Sequence, residues 1–197
     1  KLIVIDPRLS NTAAMADHWL PTWPGSEPAL FLAWARMILE RDLYDRDFME
    51  NWVNWEMWLD AAHPDEPRTF ERFIELLLDE YAEYTPEFAA EECRIPIEQV
   101  IEAGEAVANA GSRLCTHVWR SAAIGNLGGW QVSRTLHLLN VLTGSVGTEG
   151  GTSPNSWSKF KPELFDEPPD PDGWNELHFP PEYTLSHYEM SHILPHL

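Results

Sequence analysis

Asp6 closes the apolar run Leu2-Ile3-Val4-Ile5 and opens Asp6-Pro7-Arg8. A carboxylate at the C-terminal end of a buried parallel strand takes the vicinal hydroxyls of a nucleotide ribose in doubly wound folds. The same letters spell an Asp-Pro turn, and Asp6 alone does not separate the two. Pro24-Gly25-Ser26-Glu27 sets a glycine turn before a helix start, offering backbone N–H groups and a carboxylate suited to a guanine edge. A plain helix cap has the same spelling. Arg120 is the one cation at a predicted strand end, and Ser121 through Gly125-Asn126 are small enough to let backbone approach a ligand. Pairing of Arg120 with an acidic neighbour is the equal alternative. A glycine-rich run, Thr143-Gly144-Ser145-Val146-Gly147 to Gly150-Gly151, suggests a loop forced close to something, or a surface connection.

Other chemistries find less support. There is no G-x-G-x-x-G, P-loop or G-x-S-x-G, which argues against an ordinary NAD or ATP site and a serine hydrolase. Cys93 and Cys115 show no C-x-x-C spacing, so neither a disulfide framework nor a Cys-rich metal site is indicated. His178, His187, His192 and His196 hint at metal, but Pro195 interrupts the helix that their spacing would need.

The elements that must position these residues follow from periodicity. Leu2–Ile5 predicts a buried parallel strand, entered without a preceding turn, which points to sequence upstream. A short helical piece opens at Ser10 or Asn11, then an extended segment surrounds Trp19-Leu20. Ser26 is the expected N-cap of a helix from Glu27 to about Arg41. Helices are predicted over 45–59, with Trp52, Trp55 and Leu59 on one side, over 69–81, over 85–91 and over 97–110, the last ended by Gly111. Residues 113–119 predict a strand, and 129–142 a helix closed by Gly144. The tail from Pro162 is rich in Pro, Asp and His and predicts a connecting segment. The layout is α/β, with a mainly helical insert over about 40–110.

Charge sharpens this picture. The 197 residues carry 13 Lys plus Arg against 32 Asp plus Glu, for a net charge of -19. That excludes coating a nucleic-acid polymer. The excess acid is concentrated, however: residues 40–110 hold 20 acids and five bases, and 162–197 hold eight acids and no base. Residues 1–39 balance three against three, and 111–161 hold five bases and one acid. The two stretches bearing the candidate ligand contacts are therefore those able to approach an anion. No 18-residue apolar run is present, so no membrane span is expected, and the compartment stays open between cytoplasm and periplasm.

Taken together, five ordered stretches resemble one family, the molybdenum or tungsten bis-pterin-guanine-dinucleotide oxidoreductases of the dimethyl-sulfoxide-reductase type. They are Val4-Ile5-Asp6-Pro7-Arg8 with Asn11-Thr12-Ala13; Ala16-Asp17 with Leu20-Pro21 and Pro24 to Leu30; Leu43 to Phe48; Tyr84 to Ala90; and Leu139 to Gly144 with Gly147 and Gly150-Gly151. The likeness covers about residues 1–157. It implies a partial Rossmann-like dinucleotide-binding domain over 1–161, followed by a connecting segment over 162–197. It puts molybdopterin guanine dinucleotide against Asp6, Arg8, Gly25, Ser26 and Glu27, with Ser121 and Gly125 as backbone contacts. Arg120 is added here as a cation near the cofactor. Glu27 stands where the family has Asp, which keeps the carboxylate and lengthens its arm. The Arg that formate dehydrogenases carry in the glycine loop is absent, which counts against formate.

The resemblance further implies that this chain is the central portion of a larger subunit. The metal-ligating residue and any [4Fe-4S] cluster would then lie upstream, leaving no catalytic or metal-ligating residue here. The whole protein would act on a small-molecule substrate by two-electron redox, with an iron–sulfur electron-transfer subunit as partner. Two alternatives stay open: hydration or hydroxyl transfer on the same scaffold, and a non-catalytic module whose acidic helices bind a basic partner.

Overall fold

The computed structural model describes residues 1–118 and 129–153. Lys1–Ser153 form one compact unit. Its sheet has two parallel strands, β1 (Ile3–Ile5) and β2 (His18–Leu20), in register Ile3 to His18 and Ile5 to Leu20. Their connection is long enough to return parallel and holds a single 3-10 turn, Ala13–Met15. The Ser10 Oγ accepts the Ala13 N–H at 3.2 Å to start that turn. Asp17 Oδ2 accepts the Leu2 N–H at 2.7 Å, tying the sheet's lower end and holding this carboxyl below its ordinary range.

The core is built around α1 (Glu27–Glu40). Nine of its 14 residues are buried, among them Leu30, Trp34, Ile38 and Leu39. A helix apolar on nearly every side must be surrounded. It packs against α5 (Pro86–Cys93), α6 (Ile97–Ala108) and α7 (Gly129–Leu142). Trp34 is 2% exposed and donates its Nε1–H to the Val100 carbonyl at 2.8 Å, so its one polar atom is satisfied. The fit depends on Gly104, where a Cβ would sit 2.6 Å from Trp34 Cδ1.

Three expectations are corrected. The helix predicted over 45–59 is two helices, α2 (Arg46–Trp52) and α3 (Trp55–Ala62), split where Val53 is extended. The break turns Trp55 and Trp58 toward Phe70 and Phe73 of α4 (Phe70–Glu80), with edge contacts of 5.7 and 5.6 Å between ring centroids. It leaves Trp52 79% exposed rather than on the packed side. Ser26 stands at the N-cap of α1 without capping it: its backbone is helical (φ -92, ψ -4) rather than extended, and its hydroxyl donates to the Trp23 carbonyl at 2.6 Å. Thr69 and Thr85 do cap, accepting the N–H groups of Arg72 and Phe88.

The third correction concerns 113–119. Gly111–Arg113 is a 3-10 turn, and 114–118 form no ladder among the described residues. Side chains of the glycine loop and α7 occupy the backbone groups a neighbouring strand would use. Asn140, wholly buried, directs its Nδ2 to Leu114 O at 2.9 Å, Ser145 Oγ at 2.8 Å and Thr152 Oγ1 at 3.0 Å. Its Oδ1 accepts from Thr116 Oγ1, and the Thr116 N–H reaches Thr152 Oγ1 at 2.9 Å. The loop closes on itself through a Val146–Thr152 bridge.

Gly151 has no room for a side chain: a Cβ would stand 2.4 Å from Ser145 O and 3.0 Å from Ser112 O. Gly144 combines φ +62 with a Cβ position 2.5 Å from Asp45 Oδ2, the carboxylate that caps α2 through the Phe48 N–H. What these two glycines approach is the chain itself.

Two substitutions test this packing. Gly104→Ala should lower unfolding stability by about 1–3 kcal/mol, because the Trp34 ring must shift. Asn140→Ala should cost a similar ~1–3 kcal/mol and speed amide exchange over 114–116 and 145–152 with helix content unchanged. Urea titration and exchange mass spectrometry measure both; parental values would overturn the assignments.

Candidate functional site

Asp6 stands directly after β1 and is half-buried. Its Oδ1 accepts the Arg8 N–H at 2.9 Å, the geometry of an Asx turn. Trp19 donates its Nε1–H to the Asp6 carbonyl at 2.8 Å, fixing the strand end from β2. The turn reading of Asp6-Pro7 is thus realised, and it engages one carboxylate oxygen. The other is not committed by that turn. Arg8 itself is exposed.

Gly25 has φ +91, and no atom lies within 4 Å of where its Cβ would be, so its backbone is open to an approaching group. Glu27 is 8% exposed and turns back on the same turn, its Oε2 accepting the Gly25 N–H at 2.8 Å. This carboxylate therefore stiffens the turn and has one further oxygen. Two contacts clamp the turn to the end of α5. The Trp23 N–H donates to Cys93 O at 3.0 Å, and the Cys93 thiol donates to Ser26 O at 3.5 Å. Burial pushes the Cys93 thiol up.

Arg94, the residue after α5, adopts φ +57, a conformation that L side chains enter at a cost of about 1–2 kcal/mol. Its guanidinium carbon lies 4.1 Å from the Trp23 ring centroid. An exposed cation–π contact returns only about 0.5–1 kcal/mol.

Asp6 and Glu27 line one cleft of about 1320 Å³. Ile3, Ile5, Phe31, Trp34 and Leu139 give it an apolar side, and the segment from Arg113 to Val118 forms another wall. The volume exceeds the ~300–1,000 Å³ of an ordinary small-molecule site. Sequence reading did not single out Arg113, Thr116 and His117 of that wall. The signal available for them was the excess of bases over 111–161, which was assigned to Arg120. Arg120, Ser121 and Gly125 lie outside the described residues, as do the tail histidines.

Among the described residues no group of three or more His, Cys, Asp or Glu is placed to hold a metal ion. No helix among them is long and apolar enough to cross a membrane. The groups available are a strand-end carboxylate and an arginine in one cleft lining, with the open glycine turn next to Pro24 and Glu27 of that lining. Thr22, between the strand and the turn, is 1% exposed with an unpartnered Oγ1.

No family model matches the chain. Individual proteins do. A probable dimethyl sulfoxide reductase chain of Escherichia coli K12 is 32% identical over 155 residues, 78% of this chain and 19% of that protein. Acetylene hydratase of Syntrophotalea acetylenica is 52% identical over 52 residues, 26% of this chain and 7% of that protein. Among solved structures, acetylene hydratase from Pelobacter acetylenicus superposes with a TM-score of 0.57 at 28% identity, over 74% of this chain and 17% of that one. The chain thus spans about a fifth of the length of the curated reductase it matches. The relatives include both reductases and a hydratase, and what they share is the molybdopterin scaffold. This chain belongs to the molybdopterin oxidoreductases of the dimethyl sulfoxide reductase type.

Proposed function

We propose that these residues form part of a Rossmann-like domain that holds one guanine dinucleotide of a molybdenum or tungsten pterin cofactor. The observation that carries the reading is the juxtaposition of Asp6, at the carboxyl end of a parallel strand, with Glu27 in one cleft. In this reading Asp6 accepts from the ribose hydroxyls. Gly25, Ser26 and Glu27 present backbone and carboxylate to the guanine, and Arg113 supplies positive charge near the phosphates. When bound, the pterin-held metal supplies two-electron chemistry on a small substrate, or polarises it. This chain's residues bind and orient; none is assigned a proton transfer.

The whole protein is then a longer enzyme, a two-electron oxidoreductase supplied with electrons by an iron–sulfur partner subunit. A second reading, hydration without net redox, is favoured by the local 52% identity to acetylene hydratase. Both readings assign the same role to the residues described.

Asp6→Ala in the full-length protein tests the site. Cofactor occupancy, read as metal and guanine nucleotide released per subunit, should fall about tenfold or more, while the circular dichroism stays parental. Parental occupancy would remove Asp6 from the site.

A further inference from the structure

The pair Trp23 and Arg94 has no part in the assignment above; Trp23 precedes the Gly25 turn, and Arg94, at the end of α5, lies against it. Trp23 is 55% exposed, a large aromatic ring immediately before Pro24-Gly25. Five arginines lie in the acidic block 40–110. Arg41, Arg46, Arg68 and Arg72 each pair with carboxylates. Arg94 follows Glu91 and Glu92, and among the described residues no carboxylate lies within ion-pair range of it. Its guanidinium instead covers the Trp23 ring at 4.1 Å. The backbone holds the pair in place, through the Trp23 N–H to Cys93 O and through the left-handed conformation of Arg94. Glycine would adopt that conformation without strain. The stack returns less than the conformation costs, so helix capping alone gives no reason for an arginine there.

We infer that Trp23 and Arg94 form a stacking ledge for the purine base of the guanine nucleotide, placing an aromatic and a cationic face beside the Gly25 turn. The ledge rests on the ribose reading of Asp6 and adds to it a base-recognition surface. Stacking on an aromatic face is sequence-tolerant by itself, so the ledge supplies affinity for a purine while Glu27 supplies the edge contact. A guanidinium adds stacking on its own plane as well as charge.

The test uses the full-length protein freed of its cofactor, with guanosine monophosphate, adenosine monophosphate and ribose phosphate as probes, titrated by calorimetry. Trp23→Ala and Arg94→Gly should each weaken guanosine monophosphate about tenfold, leaving ribose phosphate within about twofold. Asp6→Ala should weaken both. Arg94→Gly should also melt no lower than the parent, since glycine relieves the left-handed strain, so lost binding cannot be ascribed to unfolding. If both ledge variants bind guanosine monophosphate like the parent while Asp6→Ala does not, the ledge is refuted and the ribose site stands. If the parent binds none of the three probes at about 10 mM, the ribose reading fails and the ledge with it.

Discussion

A buried carboxamide has to place every one of its hydrogen-bonding groups, and Asn140 does so by joining three parts of the chain. Its Nδ2 faces three acceptors, from Leu114, Ser145 and Thr152, and its Oδ1 takes the Thr116 hydroxyl. In an open α/β sheet the backbone of 114–116 would be satisfied by neighbouring strands. Here one side is satisfied by side chains from α7 and the glycine loop, and the other side faces the cleft. The position of that wall, with Arg113 and Thr116 on it, therefore depends on a contact made behind it. The same network explains why the loop needs Gly151: only a residue without a Cβ lets Ser145 and Ser112 approach so closely.

The opposite wall depends on α1. Nine of the residues of this helix are buried, its first included, and Glu27 lines the cleft from that end. The turn before it is held twice, by Glu27 itself and by Cys93 at the end of α5. Arg36 engages Glu40 at the far end of α1, and Arg41, just beyond that end, engages Glu105 of the cleft lining. Exposed pairs of this kind contribute little to stability.

Much of this was legible in the sequence because it is local. The Asp6 strand end, the start of α1 after Gly25, the Thr69 and Thr85 caps and the helix closed by Gly144 follow from spacing and residue type. What failed is tertiary. The apolar spacing of Phe48, Trp52, Trp55 and Leu59 reads as one helix, but the aromatic cluster with Phe70 and Phe73 is better served by two. Ser26 has every property of a cap and uses its hydroxyl on the preceding turn instead. The 113–119 strand was read from apolar content, whereas a ladder needs partners that periodicity cannot supply. The glycine loop left a close approach and a surface connection open; the structure brings it against 112–116, a surface that spacing does not identify.

The charge distribution then narrows what the cleft can hold. Asp6, Glu27, Glu102 and Glu105 line it together with Lys1 and Arg113. A purely anionic ligand would meet repulsion from four carboxylates, and a purely cationic one would meet Arg113 and Lys1. Glu105 is already paired with Arg41, and one oxygen each of Asp6 and Glu27 is committed to a backbone N–H. The remaining acceptors call for neutral donors, the hydroxyls and ring N–H groups of a nucleoside, while the cations call for phosphate. Under the function proposed above, a dinucleotide would carry both kinds of group along one molecule, in a cleft larger than an ordinary small-molecule site. The net charge of the chain, strongly negative, therefore does not oppose an anionic cofactor, because the acid is either paired, facing solvent, or positioned as a hydrogen-bond acceptor.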